Sequence, residues 1–318
     1  MKSFNVMRLN SSPYHGEDFA QIEMSRLNQI PGITYKSFKP EPTSDRLILI
    51  TNTHSKLSQL PPGLLEKTEL IVHSNSGYDH FNQDKGLWWN IPVIVGHEIR
   101  AQAVVEYYLT CLTTGLSDLP QHLSWDKSRN WQRTLIKDES ILIFGGGHIG
   151  QKIYTILTAL GANVKIIDPF ISGAIKNWNE INLKNYKVVL ICCSLNSTSH
   201  HLLNDDFFEK AHSELLLVNG ARGKILDEQA LREFLQFNPK AFAFLDVFEE
   251  EPFSSSWINF PQVWKTSHIA GVYSALDEAI IHFEEKIIRD FLNMDLILFK
   301  DKYSKQLLQN KWVQGELI

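Results

Sequence analysis

The chain has 318 residues, enough for about two domains at roughly 150 residues each. Hydrophobic residues make up 43% and charged residues 21%, a globular balance that excludes extended disorder, collagen-like structure and low complexity. The net charge of −5, without long runs of one sign, excludes a broad basic surface for nucleic acid or anionic lipid.

Cys111, Cys192 and Cys193 show no C-x-x-C spacing, which fits a reducing compartment and offers no disulfide framework. The opening MKSFNVMRLN lacks the apolar stretch of a signal peptide. The longest apolar run, VVLICC at 188–193, falls far short of the about 20 residues that span a bilayer. A cytoplasmic protein without a membrane partner is expected.

In chain order, LILIT (47–51), LIVHS (70–74) and IPVIV (91–95) read as strands. QAVVEYYLTCLTTGL (102–116) has the spacing and length of a buried helix, and the polar stretch 117–139 around Pro120 reads as a surface connection. A second alternating series follows. ILIF (141–144), VKIID (164–168), KVVLICC (187–193), LLLVN (215–219) and AFAFLDV (241–247) are apolar on both faces, as strands buried in a parallel sheet are. Helix-like segments at 149–160, 204–211 and 227–236 separate them, a βαβ alternation that predicts a doubly wound sheet. SALDEAIIHFEEKIIRDFLNM (274–294) predicts one long amphipathic helix.

The strongest local signal is ILIFGGGHIGQKIYTILTALGANVKIID. Gly145-Gly146-Gly147-His148-Ile149-Gly150 satisfies G-x-G-x-x-G between a strand and a helix. Gly145 permits the tight turn, Gly147 lets the backbone approach a pyrophosphate, and Gly150 allows close helix–strand packing. The amides at His148 and Ile149 open the helix and face the anion with its positive dipole end. Asp168 ends the next strand 18 residues after Gly150, where a carboxylate takes ribose hydroxyls and repels a 2′-phosphate. NAD is therefore expected over NADP. The competing reading, a glycine-rich turn without a ligand, leaves this register of strand, helix, strand and acid unexplained.

Further segments resemble the D-isomer-specific 2-hydroxyacid dehydrogenase family. LLLVNGARGKILDEQAL (215–231), LDVFEEEP (245–252) and SHIAG (267–271) are similar to its signatures, with Ser267 in place of the usual Pro. SNSGYDHFN (74–82) resembles its substrate loop. The resemblance implies catalytic roles for Arg222, Glu251 and His268. Taken singly, each is an ordinary surface or structural residue type; the assignment rests on all three standing within matching motifs. The chemistry agrees with these types. An Arg fork can hold a substrate carboxylate and polarise the neighbouring carbonyl, a His can transfer the proton, and a Glu beside it favours the imidazolium. The resemblance also implies cofactor contacts at Cys193, Ser194, Ala221 and Asp246, with Asp246 on the nicotinamide carboxamide. It implies that Ser76 and Gly77 present amides to the substrate carboxylate.

Two departures bear on substrate. Arg100 stands where relatives usually have Asn or Ser, which suggests a residue that reads a second anionic group; the alternative is an exposed Arg at a helix start. AVVEYY (103–108) most resembles the 4-phosphoerythronate dehydrogenase branch. That branch has an Arg-Ser pair where this chain has Thr51-Asn52, and a C-terminal dimerisation domain beyond the length of this chain. His200, His201 and His212 match no familiar ligand spacing, so no metal is expected.

Two Rossmann-like doubly wound parallel-sheet α/β domains with a cleft between them are expected. Residues 1–99 and 288–318 would form the substrate domain, and 100–287 the NAD domain. The implied protein is a homodimeric NAD-dependent dehydrogenase interconverting a D-2-hydroxy acid and its 2-keto acid. The alternatives are an NAD(H)-sensing, corepressor-like protein on the same fold and a phosphoerythronate-type dehydrogenase.

Overall fold

The computed structural model describes residues 3–36, 45–61, 63–82, 85–117, 121, 123–128, 131, 133–253, 257–313 and 315–318. Part of the expected connection at 117–139, Pro120 included, lies outside the described residues. The chain divides into two compact units, residues 1–101 with 272–318, and residues 102–271.

The first unit is built on a parallel sheet of β1 (Phe4–Arg8), β2 (Ile33–Lys36), β3 (Leu47–Thr51), β4 (Thr68–His73) and β5 (Val93–Val95), in the order β2-β1-β3-β4-β5. This is a doubly wound order with its switch point between β1 and β3. Side chains alternate across the sheet and feed two cores. Ile48, Ile50, Leu70 and Val72 face Leu27 of α1 (Phe19–Asn28), Ile287 and Ile288 of α7 (Leu276–Asn293), and Phe299 of α8 (Leu296–Lys302). Leu47, Leu49 and Ile71 face Leu57, Phe81, Leu308 and Leu317, with Trp88 from the short α2 (Lys85–Trp88).

The domain boundary expected near 287 falls at 271/272 instead. The reason is the packing of α7. Its buried stripe of Leu276, Ile280, Ile281, Ile287 and Ile288 lies against Phe19 and the first sheet, and Glu278 and Glu285 pair with Arg26 of α1. Cut at 287, this helix would lose its apolar partner. Arg100, expected in the second domain, also groups with the first unit.

Helix α3 (His97–Leu116) begins in the first unit and continues into the second. The second unit carries β6 (Ser140–Phe144), α4 (His148–Ala159), β7 (Asn163–Ile167), β8 (Val188–Ile191), α5 (Asp205–Lys210), β9 (Leu216–Asn219), α6 (Glu228–Phe237), β10 (Phe242–Leu245) and β11 (Val263–Lys265). Its six strands are parallel in the order β11-β10-β9-β8-β6-β7. One face packs on α3 and α4, the other on α5 and α6. Both faces are covered, which is why these strands read as unbroken apolar runs. Because every strand runs the same way, the segments that follow them emerge at one edge of the sheet. That edge carries the expected glycine loop, Asp168, Cys193, Arg222, Asp246, Glu251 and His268.

Candidate active site

Gly145 follows β6 with φ +96°, a conformation that disfavours any side chain. A Cβ at Gly145 would also meet the backbone of Cys193, just beyond β8, at 2.5 Å. At Gly150 a Cβ would collide with the Gly145 carbonyl oxygen. Gly147 is different: a Cβ there meets nothing within 4 Å. Gly147 is the N-cap of α4, so the helix opens on His148, Ile149 and Gly150 beneath open space, and a pocket of about 560 Å³ flanks it. Two glycines thus serve packing, while the third leaves room over a helix N-terminus, as an anion cradle requires.

Asp168 directly follows β7, and its carboxylate accepts the N–H groups of Gly146 and Phe170, both at 2.8 Å. The acid is therefore pinned against the glycine loop, the place that fits ribose hydroxyls. Cys193 and Ser194 follow β8 across the switch point; the Ser194 carbonyl accepts the Ser199 hydroxyl at 2.7 Å. Burial pushes the Cys193 thiol up to about 12, which keeps it a neutral lining group and no nucleophile. These residues fit a dinucleotide.

Arg222 follows β9 in a turn closed by Asn219, which is fully buried. The Asn219 amide donates to the Arg222 carbonyl at 3.0 Å, and its oxygen accepts the Ala221 N–H at 3.1 Å. Gly223 then presses against the Phe248 backbone, leaving no space for a Cβ. This contact joins the Arg222 turn to the segment that bears Glu251. The Nδ1 atom of His268 lies 2.8 Å from Oε2 of Glu251, with both side chains part-exposed. Partial burial pushes the Glu251 carboxyl up. The hydrogen bond and charge of His268, the Phe248 N–H and the Arg222 charge outweigh it and hold Glu251 below its usual range. All three expected catalytic side chains thus share one electrostatic neighbourhood.

His268 has φ 55°, a strained conformation for a non-glycine residue that costs on the order of 1–3 kcal/mol. Asp246, 1% exposed, holds it there. The Asp246 carbonyl accepts the His268 N–H at 2.8 Å. Its carboxylate accepts the N–H groups of Ile269 and Ala270 and the Thr266 hydroxyl at 2.6–2.8 Å. Tyr107 in turn bonds Thr266 at 2.8 Å. This clamp was not legible in the sequence, which suggested only a cofactor contact for Asp246. Gly223 was equally silent, although the glycine after Arg222 is the signal of a close backbone approach.

In the first unit, Ser76 and Gly77 lie in the loop after β4, and the Gly77 carbonyl accepts a hydrogen bond from His73 at 2.9 Å. Arg100, in the first turn of α3, is 9% exposed, which removes the alternative of a solvated surface Arg. Desolvation holds its pKa below the ordinary arginine value against the opposing influence of Tyr273, Tyr14 and Asp277. Among the described residues no group of three His, Cys, Asp or Glu side chains could hold a metal ion. No helix of the described residues is long and apolar enough to cross a membrane.

Residues 112–270, half of the chain, match the D-isomer specific 2-hydroxyacid dehydrogenase NAD binding domain. The D-3-phosphoglycerate dehydrogenase of Bacillus subtilis is 24% identical over 279 residues, covering 81% of this chain and 53% of that relative. The erythronate-4-phosphate dehydrogenase of Acinetobacter baylyi is 30% identical over 242 residues, covering 72% and 62%. The chain thus spans between about half and three-fifths of the length of these curated relatives. The D-lactate dehydrogenase of Aquifex aeolicus, solved with NAD and lactic acid, superposes with a TM-score of 0.72 at 19% identity, over 93% of this chain and 98% of that one, and shares the fold. The chain belongs to the D-isomer specific 2-hydroxyacid dehydrogenase family.

Proposed function

We propose that the protein interconverts a D-2-hydroxy acid and its 2-keto acid with NAD as hydride carrier. The observation that carries this reading is the His268–Glu251 pair at 2.8 Å, within the field of Arg222 and on the same sheet edge as the glycine loop. When bound, the nicotinamide supplies or accepts the hydride. Nδ1 of His268 faces a carboxylate and so carries hydrogen, which leaves Nε2 to exchange a proton with the substrate oxygen. Glu251 stabilises the imidazolium that gives up its proton in keto acid reduction. The Arg222 fork holds the substrate carboxylate and polarises the adjacent carbonyl. In this reading the amides of Ser76 and Gly77 add to the carboxylate contacts. The Asp168 carboxylate selects NAD, and Cys193, Ser194, Ala221 and Asp246 complete the cofactor surroundings. Family membership supports a homodimer, and three free cysteines support a cytoplasmic location.

The names of the curated relatives support a narrower substrate class. Two are dehydrogenases of phosphorylated hydroxy acids, and Arg100 is a buried cation suited to a second anionic group. The test is NADH oxidation with glyoxylate, pyruvate, hydroxypyruvate, oxaloacetate and a phosphorylated 2-keto acid. Turnover with at least one supports the enzyme, whereas NADH binding without turnover on any of them supports the NAD(H)-sensing alternative.

A further inference from the structure

The segment expected to meet the substrate carboxylate is an irregular loop, and Gly77 within it has the widest backbone freedom of any residue type. Amides that bind an anion do so well only when their direction is set beforehand. Something must therefore hold this loop from behind.

The ends of β3 and β4 provide it. Thr51 and His73 are cross-strand partners in the parallel ladder, and both are fully buried. The Thr51 hydroxyl lies 2.9 Å from Nδ1 of His73, and Nε2 of the same ring lies 2.9 Å from the Gly77 carbonyl oxygen. A carbonyl only accepts, so Nε2 carries the hydrogen. In the neutral ring Nδ1 is then the acceptor and the Thr51 hydroxyl the donor. The result is a directed relay from Thr51 through His73 to Gly77. The ring cannot turn out of it easily. Phe81 packs edge-on against His73 at a centroid distance of 5.2 Å, and His80 lies at 5.2 Å. Phe81 is backed in turn by the buried Trp88, which donates to the Phe81 carbonyl at 2.9 Å.

We propose that His73, oriented by Thr51, is a positioning residue that anchors the Gly77 carbonyl and thereby aims the Ser76 and Gly77 amides at the substrate carboxylate. This inference rests on the reading of that loop given under the proposed function. His73 does not touch substrate. Its contribution is to remove the freedom of the glycine before binding, so that less ordering accompanies the binding step. Such a residue acts on ground-state and transition-state binding of the carboxylate alike, and its loss falls on KM rather than kcat.

The experiment compares His73→Leu, His73→Gln and Thr51→Val with the parent protein. The readouts are KM and kcat for the best keto acid, NADH affinity, thermal unfolding, and calorimetric binding of oxamate, an inert keto acid analogue, in the presence of NADH. His73→Leu is expected to raise KM and the oxamate Kd by about tenfold, the worth of one buried hydrogen bond, with kcat and NADH affinity kept. His73→Gln, whose amide can donate from the Nε2 position, is expected to restore most of both. The near-isosteric Thr51→Val, which releases the tautomer, is expected to fall between. Unchanged KM and oxamate Kd in His73→Leu and Thr51→Val overturn the proposal. So does a folded His73→Gln as impaired as His73→Leu. Oxamate binding that depends on His73, in a protein that turns over no keto acid, sinks the dehydrogenase reading and leaves this one standing. A parent protein that neither turns over nor binds oxamate overturns both.

Discussion

His268 meets Glu251 at 2.8 Å from a backbone conformation that Asp246 enforces. The lowered Glu251 pKa sets the sign of the pH dependence. A depressed carboxyl keeps its negative charge at all pH values above its lowered pKa and gives it up as pH falls through that value. Above it, Glu251 supports the imidazolium needed for keto acid reduction. Replacing Glu251 by Gln removes that support together with the group that titrates, so kcat for reduction is expected to fall and the acid limb set by Glu251 to vanish from the profile. In His268→Ala, kcat is expected to fall by about 10²–10⁴-fold while NADH affinity is retained. Kinetic pH profiles and fluorescence titration with NADH measure the two effects; a His268→Ala protein of undiminished kcat sinks the proton-transfer role.

The glycines of the phosphate loop separate packing from binding. Gly147→Ala meets nothing within 4 Å, so its thermal midpoint is expected to match the parent's. The new methyl group occupies the space over the helix N-terminus, and NADH affinity is expected to drop at least about tenfold. Gly150→Ala and Gly223→Ala collide with backbone, and both are expected to lower the thermal midpoint before any ligand is added. Parallel calorimetry and NADH titration of the three variants decide it. An unaltered NADH affinity in Gly147→Ala removes the cradle from the cofactor site.

What could be read from the sequence and what could not divide along the reach of the interactions. The apolar runs behind β6, β8 and β9 announced a buried parallel sheet because both of its faces are covered. Strand β1, by contrast, carries no such apolar run. Its segment FNVMR ends in Arg8, whose burial is made tolerable by Glu23 and Glu284, 15 and 276 positions away. No local period encodes such a partner. The same holds in the site. Arg222, Glu251 and His268 sit in short motifs and were legible, whereas the Asp246 clamp, the Gly223 contact and the Thr51–His73 relay exist only once separate strands are side by side. The domain boundary escapes the sequence for a related reason, since the amphipathic period of α7 states that it packs but not against which sheet.

Asp168 predicts cofactor choice. With its carboxylate fixed by the Gly146 and Phe170 amides, it cannot swing away from a 2′-phosphate. The KM for NADPH is expected to exceed that for NADH by at least about tenfold, and Asp168→Ser is expected to narrow the ratio. Steady-state kinetics with both cofactors test this; a ratio that Asp168→Ser leaves intact places the discrimination elsewhere.

Arg100 predicts substrate choice. A buried guanidinium is valuable where it meets an anion and costly where it does not. Arg100→Ala is expected to raise KM for dicarboxylic or phosphorylated keto acids about tenfold more than KM for monocarboxylic ones. Equal effects on both classes would assign Arg100 to packing alone.

The cluster around Arg8 predicts how stability responds to pH. Arg8 of β1 bonds Glu23 of α1 at 2.6 Å and Glu284 of α7 at 2.5 Å, Tyr35 of β2 donates to Glu23 at 2.5 Å, and Ser74, just after β4, donates to Glu284. Two carboxylates thus share one cation out of water. Burial and the neighbouring Glu23 charge push the Glu284 carboxyl up to about 8 against the opposing pull of Arg8. Glu284 therefore keeps its proton in the folded protein at pH values where the unfolded chain has released it. A raised carboxyl pKa makes stability fall as pH rises from the ordinary carboxylate range toward 8, with the full penalty above it. Glu284→Gln mimics the protonated acid without being able to ionise, so its thermal midpoint is expected to equal the parent's near pH 5 and to exceed it at pH 9. Arg8→Met, which leaves the carboxylates without their cation, is expected to cost about 3–5 kcal/mol at neutral pH. Thermal unfolding of the three proteins between pH 5 and 9 measures both; parallel curves for Glu284→Gln and the parent mean that Glu284 is ionised throughout and that its pKa is not raised by folding.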